Sequence, residues 1–376
     1  MKILYVTTVG ITMTFFRSYI RQLLDEGHTV EIATNESETP IPECYREWGC
    51  AVHPISTSRS PFSAGNLKAV RQLRRLTAEN RYDIVHCHTP LAAMCTRLAC
   101  KKARRQYGAR VLYTAHGFHF YKGAPLKNWL IYYPIERICS RWTDVLITIN
   151  GEDYALAKKM KAKQVAYVPG VGIDVDRFRS VSVDRGEKRR ELGIPEDAFL
   201  LASVGELNEN KNHQVVIRAM AAISRADVHY AIAGVGESKD SLTALAKELG
   251  LEERVHLLGY RRDVDELFHC ADLMVHPSIR EGLPVAVMEG MACGLPLLCS
   301  RIRGNTDLVD ASGGMLFDPT SVSQCKEALE RMMTADLKAM GRVNLERVKQ
   351  FSIGEINQRM YQLYCNANCD ANCSAK

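Results

Sequence analysis

The sequence predicts an α/β protein made of two Rossmann-like domains in tandem, each built on a parallel sheet. Three observations carry that expectation. β-rich runs alternate with helix-spaced runs in two separate rounds, a Gly- and Pro-punctuated stretch (165–178, VAYVPGVGIDVDRF) divides the rounds, and the charge balance changes sign near it. Such alternation favours right-handed βαβ units and parallel pairing. The 376 residues are about twice the usual domain size. The expected bounds are 1–175 and 176–351, with a C-terminal helix over about 352–376 packing back on the first domain.

The first round opens with the strand KILYVTTV (2–9), a helix from Phe15 to Glu26 stopped by Gly27-His28, and a strand over Thr29–Thr34. A helix near 65–80, the strand DIVHCH (83–88), a helix over 90–106 and the strand RVLYTAHG (110–117) come next. A helix over 126–141 and the strand DVLITIN (144–150) complete it. The 165–178 stretch reads as a linker. The second round runs through strands at 199–207, 229–236, 254–260, 273–278 and 296–300, with helices at 212–224, 238–249, 263–270 and 284–293. A long helix is expected from about 321.

Hydrophobic residues make up 46% and charged residues 24%, values of a soluble globular chain with a sizeable core. The N-terminus has no apolar segment with a small-residue cleavage site, and no run of roughly 18 apolar residues could span a bilayer. The 13 cysteines include no C-x-x-C pair, so zinc and thioredoxin-type chemistry are not indicated. Buried thiols in a reducing cytosol are the expectation, and Cys365, Cys369 and Cys373 read as part of a polar tail.

Residues 1–175 hold 24 Lys and Arg against 14 Asp and Glu, whereas the remainder holds 25 against 29. A basic body is thus joined to a mildly acidic one. Basic clusters at Arg71, Arg74, Arg75 and at Lys101, Lys102, Arg104, Arg105 are either solvated helix faces or a surface for an anionic partner, such as a phospholipid membrane. No nucleic-acid motif accompanies them.

Ligands of open α/β sheets sit beyond the carboxyl ends of the strands, which directs attention to the loops there. EGLPVAVMEG (281–290) sets two glutamates eight apart in an apolar stretch. Glu281 falls in the loop after the strand LMVHPS, and Pro284 suits the first position of the following helix. Glu289 then lies inside that helix, with Gly294 at its C-terminal end. That helix N-terminus offers free N–H groups to an anion. Gly205 to Lys211 also follows a strand and precedes a helix, so the lysine can reach a phosphate there. Gly234-Val235-Gly236 lacks the third glycine of a dinucleotide fingerprint. His116 and His119 lie at a strand end, with Gly117 between them and the sheet open to close approach.

Together these fragments resemble retaining glycosyltransferases of the GT-B fold, in the large family 4 that uses nucleotide-sugar donors. The resemblance covers nearly the whole chain. HPSIREGLPVAVMEGMACGLPLLCS (276–300) is close to the family pattern P-S-x-x-E-G-x-x-x-x-x-x-E-A-M-A-x-G-x-P. VGELNENKN (204–212), GVGESKDSL (234–242), VHLLGYRRDV (255–264) and CADLMVHPS (270–278) support it. YTAHGFHFYKGAP (113–125) and RWTDVLITINGEDY (141–154) look like enzymes that build bacterial exopolysaccharide or capsule.

The resemblance implies two parallel-sheet domains facing a central cleft, acceptor on the first and donor on the second. It implies that Glu289 holds the ribose hydroxyls, that Glu281 contacts the donor sugar, and that the amides of Gly282 and Leu283 hold the diphosphate or the sugar. Lys211 would neutralise the departing diphosphate, beside Gly205, and His116 would contact the sugar near the oxocarbenium-like centre. The Tyr260–Arg262 loop, including Arg261, would read the base largely through main chain, and Gly10 would approach the phosphates. Two departures stand out: Glu206 occupies the position where the family commonly has arginine, and the Val9–Thr12 loop lacks paired glycines. Arg261, Arg262, Arg280 and Arg303 are the candidates to replace that arginine.

The implied reaction transfers a sugar with retention and no obligatory metal or cofactor. UDP is the commonest donor nucleotide in the family, and a glycan or lipid-diphosphate-linked acceptor fits the basic first domain. The enzyme is then expected in the cytoplasm, at the inner face of the membrane. The two D-x-D spacings, 174–176 and 263–265, read as linker and helix cap rather than metal clamps. Alternatives are a nucleotide-sugar epimerase or phosphorylase on the same fold, a nicotinamide dehydrogenase, and a non-catalytic nucleotide-sugar-binding protein. TTVGITMT lacks the glycine fingerprint that a dehydrogenase needs.

Overall fold

The computed structural model of the protein describes residues 1–58, 60 and 63–373. The side chains of Cys369 and Cys373 lie outside the described residues. The chain divides into two compact units, Met1–Val171 with the segment from Ile356 onward, and Gly172–Glu355.

In the first unit, seven parallel strands are present among the described residues: β1 (Lys2–Val6), β2 (Thr29–Thr34), β3 (Val52–Pro54), β4 (Ile84–His88), β5 (Arg110–Ala115), β6 (Val145–Thr148) and β7 (Gln164–Tyr167). Their order is β3-β2-β1-β4-β5-β6-β7. The central strands are covered on both faces, which is why they read as near-continuous apolar runs. The order reverses between β1 and β4, so the loops after these strands flank a crevice.

The helix Ile353–Cys373 returns to this unit and inserts Ile356, Met360 and Tyr364 into the core of Tyr5, Ile20 and Leu112. Their spacing of four residues places all three on one helix face. Tyr364 donates its hydroxyl to Tyr5, and it meets His86 Nδ1 at 2.6 Å.

The stretch 165–178 is not a plain linker. Its first residues pair beside β6 as the edge strand β7, and Asp174 caps the short helix Val175–Arg179 by accepting from the Arg177 N–H. As a half-exposed edge strand, QVAY needs no apolar run, and that hid it.

The second unit holds β8 (Phe199–Val204), β9 (Val228–Ala233), β10 (Val255–Gly259), β11 (Leu273–His276), β12 (Leu297–Ser300) and β13 (Gly314–Phe317). The order is β10-β9-β8-β11-β12-β13, again parallel. The helix expected from 321 is two helices: Ser321 caps Val322–Met332, and Asp336 caps Leu337–Arg347. Each cap oxygen takes an N–H of the first turn, which ends one helix and starts the next. Pro284 stands at the N-cap of Val285–Ala292 rather than inside it.

The Gly234–Gly236 turn serves packing. A Cβ on Gly234 would lie 1.8 Å from the carbonyl oxygen of Gly205, and one on Gly236 would lie 2.3 Å from that of Leu207. The loops after β8 and β9 therefore touch backbone to backbone.

Candidate functional site

Because β8 and β11 are neighbours in the sheet, their carboxyl-end loops meet although 70 residues separate them. Asn208 accepts the Lys211 N–H at 3.0 Å and shapes the turn Glu209–Lys211 that carries the lysine. A Cβ on Gly205 would lie 3.1 Å from Lys211 Cε, so the glycine leaves room for the lysine stem. The Ile279 N–H donates to Asn210 O at 2.8 Å, and Asn210 Nδ2 donates to Arg280 O at 3.0 Å, joining the two loops.

Lys211 Nζ lies 2.7 Å from Glu281 Oε1. His276 Nε2 is 3.2 Å from the same oxygen, with Ser278 Oγ 3.2 Å from that nitrogen. Burial alone would raise the Glu281 carboxyl, but the His276 hydrogen bond and the neighbouring Lys211 ammonium outweigh it and hold the group at about 2. Glu281 is therefore a carboxylate at neutral pH, while burial lowers His276 and keeps its ring neutral. Sequence reasoning missed His276 and Ser278. Their signal was two polar residues, two apart, closing an apolar strand.

Glu289 sits in the helix Val285–Ala292, its carbonyl accepting the Cys293 N–H, and its carboxyl has no hydrogen-bond partner among the described residues. Burial raises its carboxyl to about 7, with Arg177 pulling downward and Asp265 upward. Two carboxyls eight residues apart thus have opposite character, one always charged and one poised near neutrality.

Leu283 is buried, and Gly282 O lies 2.4 Å from where a Cβ on Gly304 would stand, so the 281–284 and 302–305 loops are in close contact. Gly304 has φ +80, which favours glycine there. The buried Arg303 donates from Nε to Glu281 O at 3.1 Å. Arg261 is committed elsewhere: Nε meets Asp263 Oδ1 at 2.8 Å and the other arm reaches Glu191 at 2.9 Å. Tyr260 and Arg262 are exposed, and Glu206 accepts from Asn208 Nδ2 at 3.0 Å. Among the D-x-D carboxylates, Asp263 binds Lys188 at 2.7 Å and Asp265 binds Arg177 at 3.3 Å.

In the first unit, His116 lies at the carboxyl end of β5, with Nε2 3.1 Å from His88 Nδ1. Burial lowers its ring to about 4, so it is neutral. His88 belongs to β4 and packs against Phe16, Tyr5 and His86 at ring separations of 4.1, 5.5 and 4.1 Å. His119 instead stacks on Tyr132 at 4.5 Å. Gly10 donates its N–H to Asn35 O, and a Cβ there would lie 2.5 Å from Thr39 O, so this glycine packs against its own chain. Sequence reasoning missed His86 and His88, although alternate histidines in a buried strand were visible as HCH.

Residues 184–345 match the family model described as glycosyl transferases group 1, and residues 12–170 match the glycosyl transferase 4-like domain. The chain is 40% identical over 322 residues to "Putative glycosyltransferase EpsD" of Bacillus subtilis (strain 168), covering 84% of this chain and 83% of that one. It is 28% identical over 277 residues to the UDP-Gal:alpha-D-GlcNAc-diphosphoundecaprenol alpha-1,3-galactosyltransferase of Escherichia coli, covering 71% and 70%. Among solved structures, Anabaena HepE in complex with UDP superposes with a TM-score of 0.81 at 20% identity, covering 97% of this chain and 100% of that one. The lipopolysaccharide glycosyltransferase WaaG superposes with a TM-score of 0.74 at 20% identity, covering 96% and 99%.

Proposed function

The chain belongs to the group 1 glycosyltransferases and has the GT-B fold, and from that premise we propose that it transfers a sugar with retention from a UDP-sugar to a glycan or lipid-diphosphate-linked acceptor in cell-surface polysaccharide assembly. The observation that carries this reading is the Lys211–Glu281 ion pair at the carboxyl ends of β8 and β11, followed in the chain by a helix whose Glu289 carboxyl has no hydrogen-bond partner among the described residues. A diphosphate entering that site meets a cation already held in place. The ionised Glu281 accepts hydroxyls of the donor sugar and is unsuited to donate a proton. Glu289 is free to accept the ribose hydroxyls from inside its helix.

Arg303 is the second cation of this reading, in place of the arginine that Glu206 displaces. It reaches the Glu281 main chain in the loop that carries Gly282 and Leu283, and Arg261 bonds Asp263 and Glu191. With Lys211 and Arg303 serving the diphosphate, and Asp263 and Asp265 paired with Lys188 and Arg177, the reading calls for no obligatory metal or cofactor. The amides of Gly282 and Leu283 serve the diphosphate or sugar, and the exposed Tyr260–Arg262 loop serves the base. His116 contacts the donor sugar.

The UDP donor draws support from relatives: HepE is bound to UDP, and also to UDP-glucose, and the Escherichia coli relative is named for UDP-Gal and alpha-D-GlcNAc-diphosphoundecaprenol. Among the described residues no helix is long and apolar enough to cross a membrane. The basic first domain would then bring the enzyme to the inner face of the membrane from the cytoplasm.

The test measures free nucleotide released from a panel of nucleotide sugars, with and without a lipid-diphosphate-linked sugar acceptor. UDP released only when both substrates are present is the expected outcome. Epimerised donor formed without acceptor would replace this reading with an epimerase. Tight donor binding with no turnover on any acceptor would replace it with a binding protein.

A further inference from the structure

The neutral His88 and His116 rings face each other through His88 Nδ1 and His116 Nε2, at 3.1 Å. One proton must lie between the two nitrogens, and it can belong to either ring. Its owner decides what His116 offers to a ligand. A ring that receives at Nε2 carries its own proton on Nδ1, and a ring that donates from Nε2 leaves Nδ1 a bare acceptor.

The other nitrogen of His88 decides the matter. His88 Nε2 is buried, closed to water, and without a hydrogen-bond partner among the described residues. Were His88 protonated there, a buried N–H would point at nothing, an arrangement that folded proteins rarely tolerate. Protonation at Nδ1 leaves only the Nε2 lone pair unused and points the His88 N–H at the His116 Nε2 lone pair. The outer ring is indifferent, because His116 is partly exposed and water can serve its Nδ1 in either state. His88 also cannot swing to find another partner, held as it is between Phe16, Tyr5 and His86.

We infer that His88 is a positioning residue: its Nδ1–H donates to His116 Nε2 and so fixes His116 as the tautomer that presents Nδ1–H to the ligand. His116 is then a hydrogen-bond donor toward a sugar hydroxyl or an anionic oxygen. Its one basic lone pair is spent on His88, so it is not a general base for the acceptor. The inference about donor character rests on the reading of His116 as a sugar-contacting residue, while the tautomer itself does not.

The experiment uses the full chain with ¹⁵N-labelled histidine rings and long-range ¹H–¹⁵N correlation spectra, His88→Asn and His116→Gln serving to assign the signals. The expected spectrum has His88 and His116 both neutral and protonated at Nδ1, at pH 7 and without substrate. A His116 protonated at Nε2 overturns the inference. Kinetics follow on two variants. His88→Asn places an amide N–H where Nδ1–H stood and is expected to keep kcat within about threefold, whereas His88→Leu loses about tenfold or more in kcat with little change in donor KM. Equal loss in both variants overturns the positioning role, and because the spectra on the unmodified protein need no turnover, a failure of the proposed reaction would leave that readout intact.

Discussion

Lys211 Nζ and Glu281 Oε1 are 2.7 Å apart across 70 residues of sequence, and each is the other's charged partner. Lys211→Ala is expected to lower kcat by roughly 10²–10³-fold, the scale of losing one preorganised charge at a developing anion. It also leaves Glu281 with less compensation, so the carboxyl should rise and the fold should lose about 1–3 kcal/mol. Glu281→Gln tests the partner: a kcat within about threefold of the unmodified enzyme would remove Glu281 from the reaction. Chemical denaturation and steady-state assays on the same preparations separate the two effects.

Glu289 gives a pH dependence whose sign is fixed. Its carboxyl is raised from 4.5 to about 7 in the folded chain, so the folded state holds the proton more tightly than the unfolded state does. The stabilising contribution is complete below about 4.5 and lost as pH rises through 7, amounting to about 3 kcal/mol. Ribose hydroxyls need the ionised form, so nucleotide affinity should rise between pH 6 and pH 8 (on the order of tenfold) with release of a proton. Glu289→Gln should flatten both trends, with a higher Tm than the unmodified protein at pH 8 and weaker nucleotide binding. Titration calorimetry in buffers of different ionisation enthalpy counts the proton directly, and no proton release would remove this assignment.

Arg303 and Arg261 are expected to behave differently although both lie near loops read as donor-binding. Arg303→Ala should raise the Kd for UDP about tenfold or more, the scale of a charge-assisted hydrogen bond. Arg261→Ala should change it less than about twofold, because its partners are Asp263 and Glu191, and should show instead as a small loss of stability. Equal effects on UDP binding would mean that the diphosphate is held otherwise.

Gly234→Ala tests whether the Gly-Val-Gly turn serves packing or phosphate binding. An added Cβ would lie 1.8 Å from Gly205 O, so the loop that leads to Lys211 must shift. A loss of about 1–3 kcal/mol in stability is expected. If stability were unchanged and only nucleotide affinity fell, the turn would be a phosphate contact after all.

Much of this was legible in the sequence, for reasons that can be located. Central strands such as IVHCH and VHYAIA are buried on both faces and announce themselves by apolar continuity. The edges do not: β3 has three residues and ends in Pro54, and β7 is half exposed. The helix Arg185–Glu191 (RGEKRRE) carries no apolar stripe to detect. Glu281 was visible beside Gly282 and Lys211 six residues after Gly205, but their meeting depends on β8 lying next to β11, which follows from strand order and not from spacing. Arg261 shows the opposite case, since a free-looking basic residue in a loop was already neutralised by side chains 2 and 70 positions away.

The returning helix, finally, sets an order for the birth of the protein. Ile356, Met360 and Tyr364 complete the first unit's core, yet they leave the ribosome only after the whole of the second unit. The second unit, continuous from Gly172 to Glu355, is whole before them. During synthesis the first 171 residues therefore lack part of their core until the later unit has emerged, and a chain ending before Ile356 should be protease-sensitive in its N-terminal half while its second unit resists.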